Sequence, residues 1–132
     1  KLRMVKTRVN QYVFREIVLA NYSCKCAMSG INVPELLVAS HILPWSKDEK
    51  ERLNPENGIC LSPLYDKAYD QGLIGITPQY EIRISASLLK NEQENYFQEF
   101  FTPLNRKKLT LPTRYQPNKR FLEYHMDLIF KK

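Results

Sequence analysis

Two prolines, Pro34 and Pro44, bracket an unbroken apolar run, Leu36-Leu37-Val38-Ala39, that passes into Ser40-His41-Ile42-Leu43. Proline biases the residue before it away from helical backbone, so a run closed at both ends in this way reads as a short strand. The run is continuous rather than alternating, which suits a strand covered on both faces. The charged stretch from Ser46 to Pro55 has no apolar period and reads as an exposed loop or a short surface helix. Asn57-Gly58 then supplies a turn pair, since both residues tolerate positive φ, and Ile59-Cys60-Leu61 a brief second strand. Ser62 is a natural N-cap with Pro63 at the first helical position, and Gly72 suits the position just past a helix end. Strand, loop, strand and helix over 37–74 would gather His41, Asn57 and the first helical turn around one small cavity. On that helix the four-residue spacing puts Tyr65 with Tyr69 near the middle and Asp66 with Asp70 on one flank.

The rest of the chain is expected to wrap this centre. Val5, Val9, Tyr12, Val13, Ile17, Val18 and Ala20 recur largely at spacings of three and four, so residues 3–22 read as a helix. Arg3, Lys6, Arg8 and Arg15 fall mostly off its apolar stripe, either as a solvated face or as phosphate contacts. Cys24 to Met28 is expected to pair as a strand with Leu36 to His41. Beyond the centre, 73–76 and 80–85 form a candidate hairpin, with Tyr80, Ile82 and Ile84 on one face. Leu88, Leu89, Tyr96, Phe97, Phe100 and Phe101 suggest short helices packed through aromatics, as core rather than a platform for stacked bases. A basic loop, Asn105-Arg106-Lys107-Lys108, precedes a closing helix from about Asn118, on which His125 is expected as a packing or surface residue.

At 132 residues the chain is read as one α+β domain. No apolar run reaches the length of a membrane span and no signal peptide is visible. Cys24, Cys26 and Cys60 are too few and too irregular for a disulfide framework or a zinc ribbon, and read as buried free thiols of a reducing compartment. A net charge of +6 and a pI near 9.3 favour a polyanionic partner without defining a fold. Because it starts at Lys1 rather than Met, the chain is expected to be the C-terminal module of something longer.

Five segments together carry a family resemblance: Gln11…Phe14-Arg15, Cys26-Ala27-Met28-Ser29-Gly30, Ala39-Ser40-His41-Ile42-Leu43-Pro44-Trp45, Arg52-Leu53-Asn54-Pro55-Glu56-Asn57-Gly58 and Asp66-Lys67-Ala68-Tyr69-Asp70-Gln71-Gly72-Leu73-Ile74. They resemble the HNH endonucleases, and within them a bacterial restriction-type branch. The likeness runs from about Arg8 to Ile76. It implies a ββα-metal core at about 24–74, with a flanking N-terminal helix, an extra hairpin and C-terminal helices. It also implies hydrolysis of DNA phosphodiesters with a divalent ion, Mg²⁺ or Mn²⁺ first and Ni²⁺ or Zn²⁺ as alternatives. By position His41 would be the general base and Asn57 its orienting partner. Tyr65 stands where relatives carry a helical His, which leaves Asp66 and Asp70 as candidate ligands of the ion. Lys47, Lys50, Arg52, Arg106, Lys107 and Lys108 are candidate contacts to DNA, and Trp45 a wedge beside the strand end. The resemblance further implies a bacterial cytoplasmic enzyme, a recognition domain elsewhere in the parent chain, and a homodimer where both strands are cut. The alternative is a degenerate module that binds DNA without cutting it.

Overall fold

Apolar spacing over the first twenty residues yields the expected helix, α1 (Leu2–Asn21), in a computed structural model that describes residues 2–44 and 49–132. Trp45 and Lys47 lie outside the described residues. Among the residues of α1 whose burial is described, Phe14, Val18 and Leu19 enter the core, whereas Val9, Tyr12 and Val13 are exposed. The helix therefore anchors through its C-terminal half, which packs on both strands of the first hairpin.

That hairpin pairs β1 (Val38–His41) with β2 (Gly58–Leu61) in antiparallel register, His41 opposite Gly58 and Val38 opposite Leu61. Pro34–Leu36 forms a 3-10 turn, so the strand starts later than the apolar run does. Three expectations are corrected here. The segment 24–28 is not a strand: Ser23 and Cys24 take positive φ, and the Cys26 sulfur accepts N–H groups from Met28, Ser29 and Ser62 at 3.3–3.4 Å. Those bonds wind the chain into a turn, and the partner of β1 comes from 58–61 instead. Asn57-Gly58 is likewise not a positive-φ turn. Asn57 closes a 3-10 turn and Gly58 is extended, with φ −127°. Glycine is required at 58 for space, since a Cβ there would sit 2.4 Å from Val18 Cγ2 and 2.8 Å from Phe14 Cζ. Third, β1 is half-buried along much of its length rather than covered on both faces.

Next comes α2 (Pro63–Asp70), which ends ahead of a Gly72 at φ +73°, as the helix-stop pattern predicts. A side chain at 72 would also strike the Ile129 carbonyl oxygen at 2.1 Å. Strands β3 (Ile74–Ile76) and β4 (Ile82–Ile84) form the second hairpin, and Ile82 and Ile84 are buried. Tyr80 belongs to the turn at φ +66° rather than to the strand, and its hydroxyl donates to Pro117 O at 3.0 Å. Two short helices, α3 (Ala86–Leu89) and α4 (Asn95–Phe100), bury Leu88 and Phe97, with Phe101 and Leu104 just beyond, while Tyr96 and Phe100 face outward. The closing helix α5 (Lys119–Leu128) is capped by Asn118, whose side chain accepts from Arg120 N at 2.9 Å. It packs on β3. No helix among the described residues is long and apolar enough to cross a membrane.

Candidate active site

His41 ends β1 opposite Gly58. With no side chain at 58, the ring of Phe14 fits against the sheet and lies flat on the imidazole, centroids 3.8 Å apart and planes 9° from parallel. The other edge of the ring is fixed by Nε2, 3.2 Å from the carbonyl oxygen of Arg52. A carbonyl only accepts, so Nε2 carries the proton and the basic lone pair is on Nδ1. Burial pushes the His41 pKa below its ordinary value, and the bond to Arg52 O works the other way. The imidazole is therefore neutral at physiological pH, the form able to take a proton.

Asn57 does not touch the imidazole through any hydrogen bond of its own. Its Oδ1 accepts from Leu43 N at 2.8 Å, its Nδ2 reaches Glu51 O at 3.2 Å and Leu43 O at 3.4 Å, and its own carbonyl accepts from Ile42 N at 2.9 Å. Fully buried, it ties the chain leaving β1 to the segment whose next residue, Arg52, offers the carbonyl that holds His41. Asn57 is thus linked to His41 through the Arg52 segment and not directly.

A cleft of about 350 Å³ opens beside His41, lined also by Ser40, Asp66, Asp70 and His125. On α2 the flank carrying Asp66 and Asp70 turns into it, as the helical spacing predicts. Asp66 is half-buried: burial raises its pKa, a hydrogen bond from the Ser40 side chain lowers it, and the neighbouring Asp70 carboxylate raises it again. Tyr65 is not brought to the cleft. One residue earlier on the helix, it points into the core, where its hydroxyl donates to Phe100 O at 2.6 Å and its ring meets Phe101 edge-on.

Two features escaped the sequence. Ser40, the residue before the histidine, is buried in the same cleft wall as Asp66 and works to lower that carboxyl's pKa. His125 packs, as expected, but does so in the wall of this cleft. It is 1% exposed, lies flat on Tyr69 at 3.8 Å, and points Nε2 at Tyr69 O at 2.8 Å, while its Nδ1 is buried without a partner. Nothing in the local pattern around 125 could have signalled this, because it depends on where α5 docks.

The basic residues divide. Arg52 contributes its carbonyl to His41, and Lys50 is exposed on the same connection. Arg106, Lys107 and Lys108 cluster by the second hairpin: Arg106 lies 3.9 Å from Glu81, and Lys108 Nζ donates to Gln79 O at 2.7 Å. None of these three lines the cleft.

Among the described residues no three His, Cys, Asp or Glu side chains converge to cage an ion. The cleft does suit a hard divalent ion of the kind that takes one or two carboxylates and completes its shell with water and substrate phosphate. Asp66 and Asp70 provide carboxylates in its wall.

An antiparallel strand pair followed by a helix, with a neutral histidine at the strand end facing helix carboxylates, defines a ββα nuclease-type site. Residues 26–77 match the family model described as HNH endonuclease. Among solved structures it resembles the "Modification dependent TagI restriction endonuclease", with a TM-score of 0.58 and 18% identity over 85% of this chain. The chain spans 35% of that protein's length. No curated protein matches it.

Proposed function

We propose that this chain is a nuclease module that hydrolyses DNA phosphodiester bonds with the help of a divalent ion, as part of a bacterial restriction enzyme. The observation that carries the reading is the shared cleft of His41, Asp66 and Asp70, with the imidazole held neutral and its proton fixed on Nε2. His41 Nδ1 takes the proton of the attacking water as general base. Phe14 and the Arg52 carbonyl keep the ring from turning, and Asn57 keeps the Arg52 segment in register with β1. Asp66 and Asp70 hold the ion. When bound, such an ion neutralises charge on the phosphate and on the departing oxygen. The net positive charge supports a polyanionic substrate. One cleft cuts one strand, so cleavage of both strands would need two copies, and selection of the site falls to a part of the parent protein outside this chain.

The test is supercoiled plasmid incubated with the protein in EDTA and with Mg²⁺, Mn²⁺, Ni²⁺ or Zn²⁺ in turn. Nicked circles with at least one ion and none in EDTA are expected, and Asp66→Asn should abolish them without loss of fold. Retarded but uncut plasmid under every ion would instead support the second reading, a module that binds without cutting. That reading draws on Tyr65 standing where relatives carry an imidazole. Cleavage of RNA but not of plasmid would overturn the choice of DNA.

A further inference from the structure

His41 borders a second cleft as well. Between α1 and β1, a space of about 290 Å³ is lined by Gln11, Phe14, Arg15, Leu37, Val38, Ala39 and His41. The two clefts share Val38, Ala39 and His41, so they meet along β1, which among the described residues pairs with β2 alone. Gln11 and Arg15 are four residues apart on α1 and therefore share a face. Arg15 is half-buried, and its guanidinium is fixed by donating to two carbonyl oxygens, Leu37 O at 2.5 Å and Pro34 O at 2.8 Å. Carbonyls hold a cation in place without cancelling its charge. Neither ion pair found among the described residues involves Arg15. A guanidinium held rigid, still carrying its full charge and with N–H donors to spare, is suited to bind an oxyanion. Gln11 is exposed at the lip with an amide that can add a further donor.

We propose that this second cleft seats the phosphodiester next to the one that reacts, with Arg15 and Gln11 as positioning residues, so that the substrate strand straddles His41. This rests on the nuclease reading above. It assigns Asp66 and Asp70 to the reacting phosphate and the opposite cleft to its neighbour. The arrangement explains why a fixed charge is kept in the cleft whose described lining includes no carboxylate.

The experiment is fluorescence anisotropy of a short labelled DNA duplex in EDTA, titrated with salt, on wild type, Arg15→Gln, Gln11→Glu and Gln11→Lys. Gln11→Glu should weaken binding about fivefold to tenfold by setting a carboxylate against the phosphate, and Gln11→Lys should strengthen it. Arg15→Gln should reduce the slope of log K against log salt by about 0.9, the loss of one phosphate contact. Arg15 also ties α1 to the 34–37 turn, so melts are recorded for each variant. Exposed Gln11 keeps the test decisive if Arg15→Gln unfolds. Where wild type cuts plasmid, KM should rise in Gln11→Glu more than kcat falls. Wild-type binding with both Gln11 variants unchanged overturns the second cleft and leaves the nuclease reading standing. A wild type that binds no DNA overturns both.

Discussion

The two histidines of this protein are held in nearly the same way. Each lies flat on an aromatic ring at 3.8 Å, His41 on Phe14 and His125 on Tyr69, and each points Nε2 at a backbone carbonyl. In both, the carbonyl fixes the tautomer and burial lowers the pKa, for His125 to about 4. They differ in where the second nitrogen stands. His41 is half-buried at a strand end between two clefts, whereas His125 is 1% exposed with Nδ1 enclosed. Stacking and a carbonyl partner therefore describe a well-held imidazole and not a catalytic one. A place where two clefts meet, against enclosure in a wall, is what sets the two rings apart.

Substitution should pull the pair apart. His41→Ala is expected to lower plasmid nicking by 10²–10⁴-fold, about 3 to 5 kcal/mol of barrier, with a small change in melting temperature. His125→Ala should do the reverse, costing about 3 kcal/mol of folding stability in urea titrations by emptying a buried ring site, with rates at saturating ion changed far less. Acid should expose the same contrast. His125 stays neutral in the fold while the unfolded chain is protonated first, so its contribution is complete above pH 6.5 and lost as pH falls towards about 4. Asp66, raised in the fold, opposes this at the lower end of the window. His125→Phe, which keeps a ring on Tyr69, should flatten the pH dependence of the melt, and an unchanged profile would mean another group carries it.

How much of this was legible in the sequence depends on whether a feature is local. The helix α1, Ser62-Pro63 opening α2 and Gly72 closing it are decided within a few residues, and each was read correctly, whereas the expected stripe on α1 was not: Val9, Tyr12, Val13 and Ala20 are exposed, and Phe14 and Leu19, outside that stripe, are buried. The turn at 24–28 was not, because the sulfur of Cys26 gathers an N–H from Ser62, thirty-six residues away. Gly58 was identified for the wrong reason: its need for open space comes from Phe14 and Val18 on another helix. Asp66 and Asp70 could be placed on one flank by helical spacing, yet which flank met His41 was settled only by docking, and that docking turned Tyr65 away.

Two smaller effects sharpen the contrast between orienting and reacting residues. Asn57→Ala should cost about 2 kcal/mol of stability by stranding Leu43 N and Glu51 O, and should slow cleavage further through the loosened Arg52 carbonyl. Wild-type rates from a folded Asn57→Ala protein would show that this tether is purely structural. Tyr65→Phe removes one bond to Phe100 O and should cost about 1 kcal/mol, read from the urea midpoint, with nicking retained. Loss of nicking with the fold intact would bring the phenol back into the chemistry.

The most direct test is the pH dependence of single-turnover DNA cleavage at saturating ion, for wild type and His41→Ala. A neutral imidazole acting as base predicts a rate that climbs with pH through an apparent pKa below 6.5 and then levels, a limb that vanishes in the variant's residual activity. The same rising limb persisting in His41→Ala would contradict the assignment.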